Sequence, residues 1–512
     1  MNKLTKFSLS YPANKINQHS KKIMWLAITL YSLTFSIICI WKYNHFLYNA
    51  LDLAIINNVF YNTLHGNWLW SSIQGHSYLG DHFTPILILL LPIYALWQSP
   101  EILLILQSIF LSLAAWPIYL IGKLILKNNI LALGLGVLWL INPLVHNINL
   151  FEFHFISILP LALLTLFYLY LKLKKEYNKK LLFYFFIILF LNLMIREDVA
   201  FILIVLGIVI LFDYFKNKNN FQSPISNILK LGATTFGISL IWILISTKLI
   251  SQFSPSNFSP FSYYYQWLWQ TDIISIVNHL FSLNNFEMLA GLLLPFLFIP
   301  LFKPKWLLIA IIPLGQIIFS AAGGGALVWQ MHYGALFLPA IIITFIYSFN
   351  KANNLVNKYF DLKYLLTIAL IIINICLWPS FGIWQNEKIK KAPNLELISK
   401  NSSVIAGFNY LSNLSSRKNI YSLHYYFLGA QQFGQAPYLI ETDPEYIVYN
   451  NRDFEYFDKI LQTSAWAGTY YTNGYKRLNN LLDSYIKIEA DKTNMFFIKY
   501  HLDAQKSIPS VE

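Results

Sequence analysis

Cysteine is almost missing from this chain, which holds only Cys39 and Cys376 among 512 residues. Both lie inside apolar runs, so the sequence predicts neither a disulfide framework nor a thiolate metal site. Charged residues are also scarce, at 12% of the chain, while 56% is hydrophobic. A soluble globular protein carries about twice that charged fraction. The composition therefore predicts a protein of the lipid bilayer.

Lysine and arginine are missing between Lys42 and Lys123, although this stretch contains acids and histidines. Cytoplasmic loops of membrane proteins collect basic residues, so the gap predicts a first extracytoplasmic loop at 43–101. The net charge of +13 is compatible with a nucleic-acid partner, but the Lys clusters lie in short loops between apolar runs. We therefore attribute the charge to membrane orientation and expect no nucleic-acid partner.

Apolar runs and the Lys clusters that end them predict eleven transmembrane helices. The first run follows several lysines and has no small-residue cleavage site after it, so we expect an uncleaved helix behind a cytoplasmic segment, 1–22. The apolar segment 85–98 is short for a span and is predicted to be re-entrant or interfacial. The predicted spans are 23–41, 102–122, 130–145, 153–171, 181–195, 199–213, 231–250, 287–302, 306–322, 334–350 and 364–380.

After residue 380 the long apolar runs end and mixed charges become frequent. The patterns there predict a small α/β domain over 381–512, and the odd number of spans places it outside the cytoplasm. The predicted fold class is an all-α polytopic transmembrane domain, 23–380, followed by this extracytoplasmic α/β domain. Its predicted strands are 403–408, 419–423, 446–449 and 495–500, and its predicted helices are 453–463 and 475–484.

Candidate site residues occur at the predicted outer ends of the spans, beginning with Asp52 after the first span. As a helix N-cap, Asp52 would be structural. A carboxylate at the membrane surface can also act on an acceptor hydroxyl or bind a divalent cation. Asp81 and His82 precede Pro85. They indicate either a turn or an acid that fixes the tautomer of the imidazole.

Glu152 and His154 alternate with phenylalanines where the fourth predicted span begins. A belt of aromatic residues at the membrane interface explains the phenylalanines, but not the acid and the imidazole between them. His332 lies in the predicted loop between the ninth and tenth spans. It is either an interfacial histidine or a ligand.

Arg196, Glu197 and Asp198 are three consecutive charged residues between two apolar runs. Charges at such a place are costly unless they are paired or hydrated, so they indicate either a functional site or a structural salt bridge. A guanidinium group binds phosphate well through paired hydrogen bonds. Arg196 is therefore a candidate for contact with a phosphate group.

Several short motifs occur along the predicted membrane part, namely Leu51-Asp52-Leu53-Ala54-Ile55, His82-Phe83-Thr84-Pro85, Phe153-His154-Phe155, Arg196-Glu197-Asp198 and His332-Tyr333. In this order they resemble the bacterial DUF2079 family of predicted membrane proteins. This resemblance implies a multi-pass protein of the bacterial inner membrane. More distantly, the layout is similar to the GT-C class of integral-membrane glycosyltransferases, which use sugars linked to a lipid phosphate.

The GT-C resemblance makes Asp52 the catalytic residue, because that class has a catalytic acid just after its first span. The chain departs from the pattern at two places. Asp52 stands between Leu51 and Leu53, where the class often has an acidic pair. Gln107 stands where relatives often have an arginine early in the second span. Arg196 would then supply the contact to phosphate.

We therefore expect a GT-C-like enzyme that transfers a sugar from a polyprenyl-phosphate donor to an extracytoplasmic acceptor. Asp52 would act on the acceptor hydroxyl, and Arg196 would bind the donor phosphate. The expected partners are this donor and membrane lipid, and the residues leave open whether a divalent metal takes part. Further residues expected to line the site are Asp81, His82, Glu152, His154, Glu197, Asp198 and His332.

The same residues are compatible with two alternatives. One is a transporter or flippase of a lipid-linked or small polar substrate, although transporters usually place such groups near the middle of the membrane. The other is a non-catalytic membrane protein of assembly or sensing that works through its C-terminal domain. It would leave the three consecutive charges at 196–198 unexplained.

Overall fold

The computed structural model describes residues 10–48, 51–216, 225–255, 260–356, 362–381, 395–431, 436–463, 473–490 and 494–499. Residues 1–9 of the predicted cytoplasmic segment and the predicted junction at 382–394 lie outside this part of the chain. The described residues are mostly helical, and a small mixed sheet forms near their C-terminal end. This architecture agrees with the predicted general class of helical membrane protein.

The helices before the sheet are α1 (Ser10–Asn44), α2 (Asp52–Leu64), α3 (Ile86–Tyr94), α4 (Pro100–Leu113), α5 (Ala115–Leu126), α6 (Asn129–Leu140), α7 (Pro143–Leu150), α8 (Leu159–Lys175), α9 (Lys179–Leu193), α10 (Val199–Lys216), α11 (Ile225–Phe253), α12 (Pro260–Tyr265), α13 (Trp267–Gln270), α14 (Ile273–Leu280), α15 (Leu283–Leu293), α16 (Ile311–Ile318), α17 (Ala326–Gln330), α18 (Gly334–Val356) and α19 (Leu362–Phe381). Those among the later strands are α20 (Phe408–Leu414), α21 (Leu423–Leu428), α22 (Arg452–Thr463) and α23 (Gly474–Leu482). The strands are β1 (Trp70–Ser71), β2 (His76–Ser77), β3 (Val404–Ala406), β4 (Ile420–Ser422), β5 (Tyr446–Asn450), β6 (Tyr485–Ala490) and β7 (Asn494–Lys499).

Within the described ranges, five helical segments are long and apolar enough to cross a membrane, and the bent pair α6 and α7 would make a sixth. All six coincide with predicted spans. The other predicted spans fall on shorter or broken helices, so the count of eleven stays a prediction. The five segments are Ile16–Asn44, Pro100–Leu126, Phe155–Lys175, Val199–Lys216 and Ile228–Phe253.

Two predicted segments have local structures that limit how they can cross a bilayer. The helix within 85–98 is α3, which has 9 residues and is too short for a full crossing, as predicted. In the predicted span 287–302, α15 ends at Leu293, and Leu297 and Phe298 follow with φ angles of 52° and 56°. Left-handed backbone at two bulky residues ends an α-helix. The prediction of one continuous helix there is wrong.

The sheet near the C-terminal end has the strand order β4-β3-β5-β7-β6. β3 pairs in parallel with β4 and β5, whereas β7 is antiparallel to β5 and β6. Strands form at all four predicted runs, and α22 and α23 form where helices were predicted. β6, which follows the last of these helices, was not predicted from the sequence. A separate domain outside the cytoplasm stays a prediction.

Polar side chains of the predicted first loop form hydrogen bonds with residues that precede and begin β4. Asn57 donates to Oγ of Ser415 at 2.8 Å, and Asn58 donates to the carbonyl of Arg417 at 2.8 Å. The backbone N–H of Ile420, the first residue of β4, donates to Oγ of Ser72 at 3.1 Å. The segment between α1 and α4 therefore contacts the residues around the start of β4 directly.

Candidate functional site

The N-terminus of α2 carries the first candidate residue. α2 begins at Asp52, and the N-cap position before it belongs to Leu51. The interpretation of Asp52 as an N-cap is therefore wrong. The carboxylate of Glu152 instead accepts the backbone N–H of Leu53 at 2.7 Å. Asp52 is left with 36% of its side chain exposed.

Glu152 is only 2% exposed, and its carboxylate contacts the first turn of α2. A carboxylate suits this place because helix N-termini carry unpaired N–H groups and partial positive charge. Gln107 binds the backbone on both sides of Glu152. Its side chain donates to the carbonyl of Ile148 at 3.0 Å and accepts the N–H of His154 at 3.1 Å. The glutamine that departs from the GT-C pattern thus positions His154.

His154 and His332 meet beside Asp52, although the three residues are far apart in sequence. The two imidazole rings are stacked, with centroids 4.0 Å apart and planes at 8°. Nδ1 of His332 lies 3.8 Å from Oδ2 of Asp52. Each of the three offers one potential ligand atom, and these atoms all lie within 4.8 Å of one another. We call these three residues the Asp-His-His cluster.

Burial sets the protonation of the cluster. Desolvation lowers the pKa of His154 and of His332 well below its usual range, so both imidazoles are neutral at pH 7. Desolvation and the neighbouring Asp81 raise the pKa of Asp52 to about 6. Neutral imidazole nitrogens beside a carboxylate can bind a cation.

His82 is oriented by Glu197. Its Nδ1 lies 2.9 Å from Oε1 of Glu197, and the N–H of Phe83 donates to Oε2 at 2.9 Å. Asp81 is 3.9 Å from Nε2 and accepts from Gln74 at 2.9 Å. The hypothesis that Asp81 fixes the His82 ring is therefore wrong. Although desolvation opposes it, Glu197 and Asp81 raise the pKa of His82 to about 9, so the ring is positively charged at pH 7.

Arg196 is 5% exposed and pairs with Asp198. Its Nε donates to Oδ1 of Asp198 at 2.8 Å, and its Nη2 contacts Oδ2. The structural salt bridge is therefore present. It uses two of the five N–H groups of the guanidinium, and the other three lie outside this salt bridge.

Two tyrosines near the cluster, Tyr78 and Tyr333, were not among the predicted site residues. Burial raises the pKa of Tyr333, while the opposing charges of Arg196 and Asp52 both act on its hydroxyl. Tyr78 is buried, whereas Tyr333 is 37% exposed, and the charges of Asp81 and Asp52 act on Tyr78. The sequence signal for each tyrosine was a candidate site residue nearby. His332 adjoins Tyr333, and Asp81 lies three residues after Tyr78. An aromatic residue beside a charged one at an interface is too common to select them alone.

An apolar groove of about 500 Å³ lies along α9, and Leu89 of α3 forms its other side. The N–H of Ile86, at the start of α3, donates to the carbonyl of Met194 at 2.9 Å and ties the two walls together. His82 lies just before α3, and Arg196 follows α9. Both walls therefore end at the charged residues. The groove is lined by Leu89, Phe183, Phe186, Ile187, Phe190, Leu191 and Met194.

The structure brings most of the predicted site residues into one region at the ends of α2, α3, α9 and α18. Glu152 is the exception, because it serves the backbone of α2. Their functional roles stay predictions. The residues brought together are Asp52, Asp81, His82, His154, Arg196, Glu197, Asp198 and His332.

The chain matches the DUF2079 family, described as a predicted membrane protein, over residues 42–476. Because this match spans most of the 512 residues, the chain belongs to that family. The resemblance to the DUF2079 family is therefore confirmed. A multi-pass membrane location agrees with the several apolar helices. No curated protein matches the chain in sequence.

Proposed function

We propose that this DUF2079 protein is a GT-C-like membrane glycosyltransferase that moves a sugar from a polyprenyl-phosphate donor to an acceptor at the extracytoplasmic face. The observation that carries the proposal is the groove between α3 and α9, whose walls end at the charged residues. A donor with a long apolar chain and a charged head group fits this pairing. The chain would lie in the groove, and the phosphate and sugar would reach the residues at its end.

Asp52 is the proposed residue for the acceptor. The acceptor oxygen attacks the anomeric carbon of the sugar while the bond from that carbon to the phosphate oxygen breaks. The leaving polyprenyl phosphate keeps the electron pair of the broken bond, and the acceptor proton passes to the Asp52 carboxylate. Exposure of Asp52, at 36% of its side chain, supports this role because an acceptor must reach it.

Arg196 and His82 are the proposed contacts for the donor phosphate. His82 adds a second positive charge to that of Arg196, because Glu197 keeps the imidazole protonated at pH 7. The Arg196–Asp198 pair fixes the guanidinium in one orientation, which reduces the cost of ordering it on binding. Cations held in place before the reaction stabilise the charge that develops on the leaving phosphate.

The test uses purified protein in lipid nanodiscs and polyprenyl-phosphate donors with a radiolabelled sugar. The proposal predicts that label leaves the lipid fraction and appears in an added acceptor, such as an extract of cell-envelope glycans and glycolipids. Donors that all stay intact with such extracts would contradict the proposal. A matched assay in sealed vesicles measures movement of the intact donor across the bilayer. Movement without transfer would favour a flippase instead.

A further inference from the structure

The Asp-His-His cluster has the composition and spacing of a metal site. Its three potential ligand atoms lie within 4.8 Å of one another, and the pair from His332 and Asp52 is 3.8 Å apart. Two ligands of a four-coordinate zinc ion, with bonds of about 2.0–2.1 Å, stand roughly 3.3 Å apart. The 3.8 Å pair is about 0.5 Å longer than this spacing, and no pair exceeds it by more than about 1.5 Å. Because the two imidazole rings are stacked, at least one ring has to turn so that its nitrogen points at the ion.

His332 supplies an independent observation. Its side chain is 4% exposed, and among the residues that the structure describes, its Nδ1 has no hydrogen-bond partner. Buried polar atoms are nearly always paired, so an orphaned nitrogen at the centre of such a cluster points to a missing ligand. At His154, the hydrogen bond that would compete with a metal ion for Nδ1 is weak, because the N–H of Ile156 lies 3.4 Å away.

The surrounding charges favour a divalent cation. Besides the buried Glu152, four carboxylates lie in the region against two basic side chains, so acidic groups outnumber basic ones around the cluster. A bound divalent ion would balance that excess. The acids are Asp52, Asp81, Glu197 and Asp198, and the positive groups are Arg196 and His82.

We propose that Asp52, His154 and His332 bind one divalent transition-metal ion, with zinc as the preferred ion. Two imidazole nitrogens and one carboxylate oxygen suit zinc, whereas magnesium and calcium prefer ligand sets made of oxygen. Three protein ligands with an open fourth position are typical of catalytic zinc. Asp52 would bind the ion through one oxygen and keep the other for the acceptor.

In the proposed transferase, the ion would act as a Lewis acid toward the substrate, and only this role rests on the proposed function. Binding of the ion depends on the cluster alone. Failure of the metal site and failure of the transferase are therefore separate results. Zinc binding without sugar transfer would keep the site and contradict the function.

The experiment measures metal content and affinity in the full chain, purified with an affinity tag that contains no histidine. After treatment with a chelator, the protein is titrated with zinc against a competing dye, and bound metal is counted by mass spectrometry. We expect one zinc per chain and weaker binding of magnesium and manganese. His332→Ala should lower the zinc affinity by at least about a hundredfold, since even residues behind the ligands contribute 10- to 100-fold.

His65→Ala is the matched control, because His65 is exposed and stacks on Tyr61 outside the cluster. It should bind zinc as the wild type does. Asp52→Asn keeps the test valid if the histidine variant does not fold, because this side chain is partly exposed, and it should also lose zinc. Zinc should raise the melting temperature of the wild type and of His65→Ala only. Wild-type affinity in both Asp52→Asn and His332→Ala, or no zinc bound by the wild type, would overturn the proposal.

Discussion

Asp52 and Glu152 both lie at the N-terminus of α2, but their positions suit different roles. Glu152 is buried and accepts the N–H of Leu53, so the start of α2 is satisfied from another segment. Asp52 is consequently left partly exposed next to His332. From the sequence both acids looked like site residues. Only the contact across the fold distinguishes the structural acid from the candidate catalytic one.

Replacing Glu152 tests this division. Glu152→Ala leaves the N–H of Leu53 buried without its acceptor, which costs roughly 1–3 kcal/mol of stability. Glu152→Gln keeps an acceptor oxygen at the same place and should recover most of the loss. Thermal unfolding of the purified protein in one detergent measures both variants. Equal melting temperatures for wild type and Glu152→Ala would contradict the assigned role.

Among the elements, α10 and α11 pack closely where small residues meet. A Cβ atom added to Gly207 would lie 2.7 Å from the backbone nitrogen of Phe236, so the helices approach at a distance that only glycine permits. Such contacts at small residues are a main source of helix association in membranes, where lipid removes the hydrophobic driving force. The two helices therefore form a fixed unit beside the groove wall α9.

Substitutions of two glycines separate this packing from helix propensity. Gly207→Ala forces α10 and α11 apart, at a cost of about 1–3 kcal/mol for overpacking. Gly237→Ala has no atom within 4 Å of the added Cβ and should be neutral or more stable by up to about 1 kcal/mol. Thermal unfolding of both variants in the same detergent gives the comparison. A Gly207→Ala protein as stable as Gly237→Ala would refute the close contact.

The groove between α3 and α9 is the element on which the lipid donor depends. Leu89→Trp narrows the groove and should raise the KM for a polyprenyl-phosphate donor several-fold while kcat stays near the wild-type value, because only binding of the apolar chain is lost. Leu96→Trp is the control, since Leu96 is 85% exposed and does not line the groove. An unchanged KM in Leu89→Trp would show that the chain lies elsewhere.

Over the whole molecule, local pattern was enough to predict much of the fold. Six predicted spans coincide with apolar helices, and four predicted strands formed, because composition and periodicity report burial directly. The break in 287–302 had a signal in the sequence, because Pro295 and Pro300 disfavour a continuous helix. The left-handed backbone at Leu297 and Phe298 was not predictable, because neither residue is a glycine.

The site was predictable as a set of residues but not as a set of contacts. Asp52, His154 and His332 were identified as site candidates because they are acids or histidines at the ends of predicted spans. Charged and polar groups at such places are costly and commonly functional. Which acid serves which partner depends on segments that are distant in sequence. Glu197 reaches His82 across 115 positions, and no local pattern encodes such a pairing.

The central claim is that Asp52 acts on the acceptor in sugar transfer. Its most direct test is the turnover of a labelled polyprenyl-phosphate sugar by Asp52→Asn, compared with Asp272→Asn. Asp272 is the N-cap of α14, a role that asparagine also fills. We expect Asp52→Asn to lose at least about a hundredfold in kcat, while Asp272→Asn keeps the wild-type rate. Wild-type turnover in Asp52→Asn would contradict it.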